Sequence, residues 1–262
     1  MNDLVELFCS IDDFWKTFKP EWDTHLIETQ RRKRGPEAEL TIPEMMTIVV
    51  LFHQSDYRIF KHFYRHVEQN LHCEFPRLIS YARFVSLMKK LFVPLFAYLL
   101  YFKGAISGIS FVDSTSIRIC HNKRISRNRV FKGLAKLGKT TTGWFYGFKL
   151  HLVINDKGEI LAFQLTPGNV ADVNMLETLS SGLWGKLFGD KGYISSKVAE
   201  KLFTQGVQVI TGLRAKMKQK LMPLMDKILL RKRSLIETVN DQLKNISQTE
   251  HSRQEITSEF FD

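Results

Sequence analysis

The sequence predicts an α/β fold in which a mixed sheet with flanking helices follows an all-α N-terminal region. Apolar residues recur with a helical period up to about residue 105, and β-branched and aromatic runs begin after Gly104. The later part reads as three strands, then helix, strand, helix, strand and a last helix. That order favours one sheet with crossover helices. We therefore divide the chain into segments 1–105, 106–246 and a tail, 247–262.

The composition is that of an ordinary globular protein except for its charge. Of 262 residues, 44% are hydrophobic, but the net charge is +11 and the pI about 9.5. This favours a polyanionic partner, nucleic acid first and an anionic membrane second. Three cysteines without metal-ligand spacing indicate neither disulfides nor zinc, and they fit a reducing, cytoplasmic location. The longest apolar run, Leu91–Phe102, is too short to span a membrane and predicts a buried helix.

Segment 1–105 predicts four helices and a DNA-binding role. The capping-box spacing of Thr41 and Glu44 marks the start of one helix, and Asp56 is the expected N-cap of the next, which is basic. Two helices joined by a short turn permit a helix-turn-helix, although ordinary helical hairpins have the same pattern. The basic linker Arg31–Pro36 could contact DNA or be solvated. The predicted helices are Asp3–Phe18, Ile42–His53, Tyr57–Gln69 and Tyr81–Phe102.

The first predicted strand, Gly108–Cys120, carries a carboxylate on its apolar face. Side chains alternate along a strand, so Asp113 shares a side with Phe111 and Ile117. Burying an ionised carboxylate is costly, so Asp113 requires a metal, a cation or a raised pKa. The alternative is a strand-end aspartate that faces solvent or pairs with an arginine.

A strongly basic segment follows this strand. Between Asp113 and Asp156 there is no acidic residue, so nine positive charges form a local phosphate-binding surface. We expect it to contact DNA. The nine residues are Arg118, Lys123, Arg124, Arg127, Arg129, Lys132, Lys136, Lys139 and Lys149.

The remaining elements contain two more candidate site carboxylates, Asp190 and Glu237. The strand Lys186–Asp190 ends in an isolated aspartate, and the last helix, Pro223–Ile246, carries Glu237. Arg233, Glu237, Asn240 and Lys244 fall on one face of that helix, which alone would suggest a solvated, salt-bridged surface. The other predicted elements are strands Trp144–Ile154 and Glu159–Thr166, helix Asp172–Leu183, a helix from Ser195 or Ser196 to Gln205, and strand Val207–Leu213.

Asp113, Asp190 and Glu237 together suggest a metal-dependent phosphoryl-transfer centre. Such centres hold two divalent ions about 4 Å apart, one at the attacking and one at the leaving oxygen. Hard Mg²⁺ prefers oxygen ligands, so a few carboxylates on rigid elements suffice. These three residues could therefore form a catalytic site for two divalent ions, Mg²⁺ or Mn²⁺.

Three motifs in this order resemble the DDE transposases of bacterial insertion sequences. They are Phe111-Val-Asp113-Ser-Thr, Phe188-Gly-Asp190-Lys-Gly-Tyr193, and Arg233-Ser-Leu-Ile-Glu237 with Lys244 seven positions after the glutamate. The spacing resembles a branch with a Tyr-x2-Arg-x3-Glu-x6-Lys signature, except that Leu230 stands at the tyrosine position. Thr166-Pro-Gly-Asn169 and Lys149-Leu-His-Leu also resemble that family. Residues 104–246 carry the resemblance, and the acidic tail does not.

The resemblance implies an RNase H-like fold and DNA cleavage at transposon ends, followed by transfer of the 3′-OH ends to target DNA. It implies that the metal ligands are Asp113, Asp190 and Glu237, and that Arg233 and Lys244 contact the DNA backbone or order Glu237. Lys191 and Tyr193 would line the site. The implied partners are double-stranded terminal inverted repeats and target DNA, bound by a homodimer, with no membrane. A nuclease or resolvase on the same fold, or an inactive DNA-binding remnant, are the alternatives.

Overall fold

Helices form the first part of the chain and a mixed sheet forms the second, in a computed structural model that describes residues 2–28, 39–141, 143–212 and 221–246. The basic linker and the tail 247–262 lie outside these residues. The described residues form two compact units, one up to Phe102 and one over Lys103–Asn245.

Five helices build the first unit. The capping box at Thr41 is confirmed, because the Thr41 hydroxyl accepts from the Glu44 amide and the Glu44 carboxylate accepts from the Thr41 amide at 2.7 Å. The core between the helices contains fully buried Ile11, Met46, Tyr64 and Phe84. The helices are α1 (Asn2–Glu28), α2 (Ile42–Gln54), α3 (Phe60–Asn70), α4 (Tyr81–Met88) and α5 (Phe92–Tyr101).

Helix α3 begins three residues later than predicted, and Asp56 does not cap it. Ile59 occupies the N-cap position and makes no side-chain cap hydrogen bond. Arg58, which precedes the helix, and Lys61 and Arg65 on it are exposed, as the pattern suggested. The helix-turn-helix interpretation of α2 and α3 stays a prediction.

The predicted helix Tyr81–Phe102 is interrupted, and the prediction that its second half is buried is wrong. A 3₁₀ turn at Lys89–Leu91 separates α4 from α5. Pro94 has no amide hydrogen to donate to the carbonyl four residues earlier, which favours a break there. In α5 only Pro94 is buried, while Phe92, Phe96 and Tyr101 are largely exposed. By length and composition alone the stretch Tyr81–Tyr101 could cross a membrane, with a mean hydropathy of 1.5.

A six-stranded mixed sheet forms the centre of the second unit. The strand order is β2-β3-β1-β5-β6, and β4 pairs with β3 beside β2. Strand β3 is antiparallel to its three neighbours, whereas β1, β5 and β6 run parallel. The strands are β1 (Ile109–Cys120), β2 (Lys136–Thr140), β3 (Gly143–Asn155), β4 (Ile160–Pro167), β5 (Gly185–Gly189) and β6 (Val207–Thr211).

Helices cover both faces of the sheet. Val112 and Leu187 point into a core shared with helices α6 (Leu176–Leu179) and α7 (Ser196–Thr204). Phe111 and Phe188 point to the other face, where they meet Ile236. That face is covered by α8 (Leu224–Lys232) and α9 (Ser234–Asp241), which are separated at Arg233 and followed by a π-helical turn, Gln242–Ile246. The predicted continuous last helix is therefore divided in two.

The hairpin of β3 and β4 and the strands β1 and β5 match the predictions, and Ser195 is the N-cap of α7. Two segments differ. Strand β2 was not predicted, because Lys136, Gly138 and Lys139 are poor strand formers. The predicted helix Asp172–Leu183 is instead a 3₁₀ turn, Asp172–Met175, followed by the one-turn helix α6.

Candidate active site

The sheet places Asp113 and Asp190 side by side. Phe111 of β1 pairs with Phe188 of β5 in a parallel ladder, and each aspartate follows two residues later. Parallel neighbours lie about 4.8 Å apart and side chains repeat every second residue, so both aspartates emerge at one edge of the sheet on the phenylalanine side. This is the face that α9 crosses.

Asp113 is a half-buried carboxylate with partners from α9. Asn240 donates a hydrogen bond from Nδ2 to Asp113 Oδ2 at 3.2 Å, and Arg233 Nη1 lies 3.8 Å from Asp113 Oδ1. Burial raises the pKa of Asp113 to about 6, and the negative charges of Asp190 and Glu237 add to that rise. The Arg233 guanidinium and the Ser114 amide act in the opposite direction. The cation and the raised pKa expected from the sequence are thus both present.

Asp190 caps the short 3₁₀ helix Lys191–Tyr193 that follows β5. Its Oδ1 accepts from the Gly192 amide at 2.8 Å. The residue is exposed and opens onto a pocket of about 320 Å³ lined by Gly189, Asp190, Lys191, Gly212, Leu230 and Arg233. Leu230, at the tyrosine position of the signature, therefore lines the same pocket as Asp190.

Glu237 is tied to Arg233 on α9. Arg233 Nη2 donates to Glu237 Oε1 at 2.6 Å, and Arg233 also approaches Asp113, so its guanidinium lies between two predicted metal ligands. Among the described residues, no three His, Cys, Asp or Glu side chains are close enough to hold one metal ion. Asp190, Glu237 and Arg233 nevertheless all lie close enough to Asp113 to shift its pKa.

Eight of the nine predicted phosphate-binding side chains of the basic segment are exposed: Arg118, Lys123, Arg124, Arg127, Arg129, Lys132, Lys136 and Lys139. Lys149 differs from the expectation. Its side chain is 12% exposed, its Nζ lies 3.0 Å from Asp172 Oδ1, and it also donates to the Val170 carbonyl. Its charge is therefore used inside the protein, because a buried lysine needs a partner of opposite charge.

Tyr193 and Lys244, which the family resemblance also assigns to the site, are less exposed than Asp190. Tyr193 is 1% exposed and belongs to the core around Val112, so it does not line the open pocket. Lys244 lies half-buried in the π-helical turn. Arg233 pairs with Glu237 directly, and its role in ordering that residue or binding DNA stays a prediction.

Sequence reasoning did not assign two polar residues that the structure places near the carboxylates. Its helical spacing placed Asn240 on the same helix face as Arg233 and Glu237. The sequence did not predict that Asn240 contacts Asp113. Asp172 was read only as a helix start. Ser114, the neighbour of Asp113, donates to Asp172 Oδ1 at 2.8 Å. Nothing in the local sequence indicates this contact over 58 positions.

Comparisons with known proteins gave a family match and a structural likeness. A search of curated proteins found no match. A piggyBac transposase, solved by cryo-EM as a synaptic complex with hairpin DNA, aligns with a TM-score of 0.41 and 11% identity, over 82% of this chain and 50% of that one. This chain thus spans about half the length of that transposase. A family model described as "Transposase DDE domain" matches residues 103–257, so the match extends beyond residue 246 into the tail, which we had not expected to resemble the family. By this match over more than half of its length, the chain belongs to the transposase DDE domain family.

Proposed function

We propose that this protein is a divalent-metal-dependent transposase of the bacterial insertion-sequence type, with Asp113, Asp190 and Glu237 as its metal ligands. The main support for this proposal is that the two aspartates follow neighbouring parallel strands at matched positions. Glu237 lies on the helix that contacts Asp113. The mixed sheet with helices on both faces supports an RNase H-like fold. We extend the proposal to a cytoplasmic protein that acts as a homodimer when two transposon ends are paired.

The chemistry of the carboxylates fits Mg²⁺ or Mn²⁺. All three residues offer oxygen ligands, which hard divalent ions prefer. Burial is the main cause of the raised pKa of Asp113, and the negative charges of Asp190 and Glu237 add to the rise. A divalent cation would relieve that repulsion. When bound, two such ions would activate the attacking oxygen and stabilise the leaving oxygen of a phosphodiester.

The surrounding residues have defined tasks in this proposal. Asn240 orients Asp113 through its amide, and the Gly192 amide orients Asp190. Arg233 holds Glu237, so Glu237 must exchange this ion pair for a metal when it becomes a ligand. A DNA phosphate entering the pocket would offer Arg233 a replacement partner, since guanidinium groups bind phosphates well.

The exposed basic segment supports DNA as the substrate. Eight exposed cations with no acidic residue between Asp113 and Asp156 form a surface suited to the phosphates of transposon ends and of target DNA. We assign terminal-repeat recognition to the helical first unit, with exposed Arg58, Lys61 and Arg65 on or beside α3 as the candidate contacts.

The test is nicking of supercoiled plasmid in Mg²⁺ or Mn²⁺. We expect metal-dependent nicking by the wild type, none by Asp113→Ala or Asp190→Ala, and DNA binding largely kept in both variants, because metal ligation and phosphate contact are separate contributions. Asp156→Asn, which changes an exposed carboxylate on the β3–β4 turn, is the control and should nick normally. Equal nicking by wild type and Asp190→Ala would disprove the ligand assignment.

Strand transfer separates a transposase from a nuclease or resolvase on the same fold. A transposase joins the exposed 3′-OH ends to a second DNA, which gel analysis of a labelled donor end and an unlabelled target would detect. Cleavage without joined products, under conditions that keep both DNAs bound, would favour a nuclease. Binding with neither cleavage nor joining would favour an inactive remnant.

A further inference from the structure

A polar cluster on the other face of the sheet lies directly behind the proposed metal ligands. Asp172 begins the 3₁₀ turn after β4, and its Oδ1 accepts from the Ser114 hydroxyl at 2.8 Å and from Lys149 Nζ at 3.0 Å. Ser114 is the next residue after Asp113. Asp172 is thereby hydrogen-bonded to the side chain of the β1 residue that follows the first carboxylate.

The second oxygen of Asp172 faces the turn that carries Asp190. A Cβ added to Gly192 would lie 2.9 Å from Asp190 Oδ1 and 3.6 Å from Asp172 Oδ2. Gly192 thus lies between two carboxylates, and its amide is the donor to Asp190. A glycine permits this close approach because it has no side chain. Asp172 therefore contacts β1 through Ser114 and lies against the Asp190 turn through Gly192.

The cluster is partly buried and held from several sides. The Lys149 side chain is 12% exposed and also donates to the Val170 carbonyl at 3.0 Å. His151 is fully buried opposite Ser114 in the β1–β3 ladder, with Nε2 2.8 Å from the Thr166 hydroxyl and Nδ1 3.8 Å from Asp172 Oδ1. Because the Asp172 carboxylate accepts from two donors, its side chain has few alternative rotamers. It can therefore hold neighbouring elements in fixed positions relative to each other.

We propose that Asp172 is a positioning residue that fixes the strand of Asp113 and the turn of Asp190 relative to each other. This inference rests on the proposed function, because its purpose is to set the separation of two metal ligands. Asp172 touches neither metal nor DNA in this role. It acts as the outer-shell partners of metal ligands do, whose loss commonly weakens metal binding 10- to 100-fold.

A second ion pair in the same unit, with a buried aspartate and a partly exposed lysine, supplies a control. Lys186 Nζ lies 2.6 Å from Asp226 Oδ1, and the Asp226 side chain is 4% exposed. Lys186 is at the start of β5, four residues before Asp190, which corresponds to about 13 Å along a strand. Asp226→Ala therefore removes a comparable carboxylate–lysine pair far from the two ligands.

The experiment measures Mn²⁺ affinity by calorimetry and amide hydrogen exchange of the segment 189–193 in the full chain, for wild type, Asp172→Ala, Asp172→Asn and Asp226→Ala. We expect Asp172→Ala to weaken Mn²⁺ binding about tenfold and to speed exchange at Gly192. Asp172→Asn keeps an oxygen that can accept from Ser114, so it should lose less Mn²⁺ affinity than Asp172→Ala. If Asp172→Ala does not fold, Asp172→Asn alone tests the positioning role. Asp226→Ala should lower thermal stability while leaving Mn²⁺ affinity and Gly192 exchange unchanged.

The two proposals fail in different ways. Equal Mn²⁺ affinities and equal Gly192 exchange in wild type and both Asp172 variants would overturn the positioning role alone. The same loss in Asp172→Ala and Asp226→Ala would also overturn it, because the effect would then be general destabilisation. Mn²⁺ binding that is absent from the wild type, or unchanged in Asp113→Ala, would overturn the metal centre, whereas the metal-free exchange at Gly192 would still report whether Asp172 holds that turn.

Discussion

Replacing Asp113 with asparagine should stabilise the metal-free protein increasingly as the pH rises above about 4. The pKa of Asp113 is raised from 3.8 to about 6, chiefly by burial. Below about pH 4 the carboxyl is protonated in both the folded and the unfolded chain, so its full contribution to stability is present. As the pH rises through 6, the unfolded chain ionises first and the folded state loses that contribution. Asparagine does not ionise, so the variant escapes the loss.

The expected gain follows from the size of the pKa shift. One pKa unit corresponds to about 1.4 kcal/mol, so a shift of about two units gives an upper value of about 3 kcal/mol at pH 7.5. The Asp113 side chain is 20% exposed, which lets solvent screen part of the interaction. We therefore expect about 2 kcal/mol in the free energy of unfolding at pH 7.5 and no difference near pH 4.

The assay is urea unfolding in EDTA at several pH values, followed by tryptophan fluorescence. Trp15 and Trp22 belong to the first unit, so replacing both by phenylalanine leaves Trp144 and Trp184 as reporters of the second. Asp156→Asn serves as a control of opposite sign, because the Ser107 hydroxyl lowers the pKa of Asp156 and that carboxylate therefore stabilises the fold above its ordinary pKa. A stability difference for Asp113→Asn that is the same at pH 4 and pH 7.5 would refute the reasoning.

Two further predictions test the DNA surface and the sheet. Replacing Arg127 and Arg129 by glutamine should weaken DNA binding and reduce the steepness of the plot of log K against log salt by about 2. Each lost phosphate contact removes about 0.9 from that slope. An unchanged slope in filter-binding titrations would show that neither residue contacts DNA. Gly147→Ala should cost more than 3 kcal/mol, because the new Cβ would lie 2.0 Å from the Ile117 carbonyl oxygen. A melting temperature within about 2 °C of the wild type would show that β1 and β3 can separate there. Gly133→Ala, where a Cβ meets open space but the backbone φ is +90°, reports the separate cost of a left-handed backbone, which Gly147 does not carry.

Local patterns predicted the elements whose signals are local. The capping box of α2, the alternation along β1 and the tight turn between β3 and β4 each depend on residues within a few positions, and the structure has them all. The Asp190 strand end was predictable for the same reason. Strand β2 was not, because its pairing with β3 compensates for a sequence of lysines and a glycine.

The contacts between distant segments could not be predicted from the residues themselves. Asn240 and Asp113 are 127 positions apart, and Ser114 and Asp172 are 58 apart. The error on α5 has a related cause, since an apolar run predicts burial only if some surface covers it. In the described residues Phe92 and Tyr101 are 57% and 63% exposed, so apolar composition and burial are separate properties here.

The position of Arg233 connects the charge of the site to its proposed chemistry. At neutral pH three carboxylates carry about three negative charges, and one guanidinium, shared between Glu237 and Asp113, offsets one of them. Asp190 and Glu237 raise the pKa of Asp113, although Arg233 lowers it by more than either of them raises it. A divalent cation would offset two charges where Arg233 offsets one, and it would free the guanidinium for a DNA phosphate. In the proposed mechanism, the same arginine would balance the carboxylates before metal binds and hold a DNA phosphate afterwards.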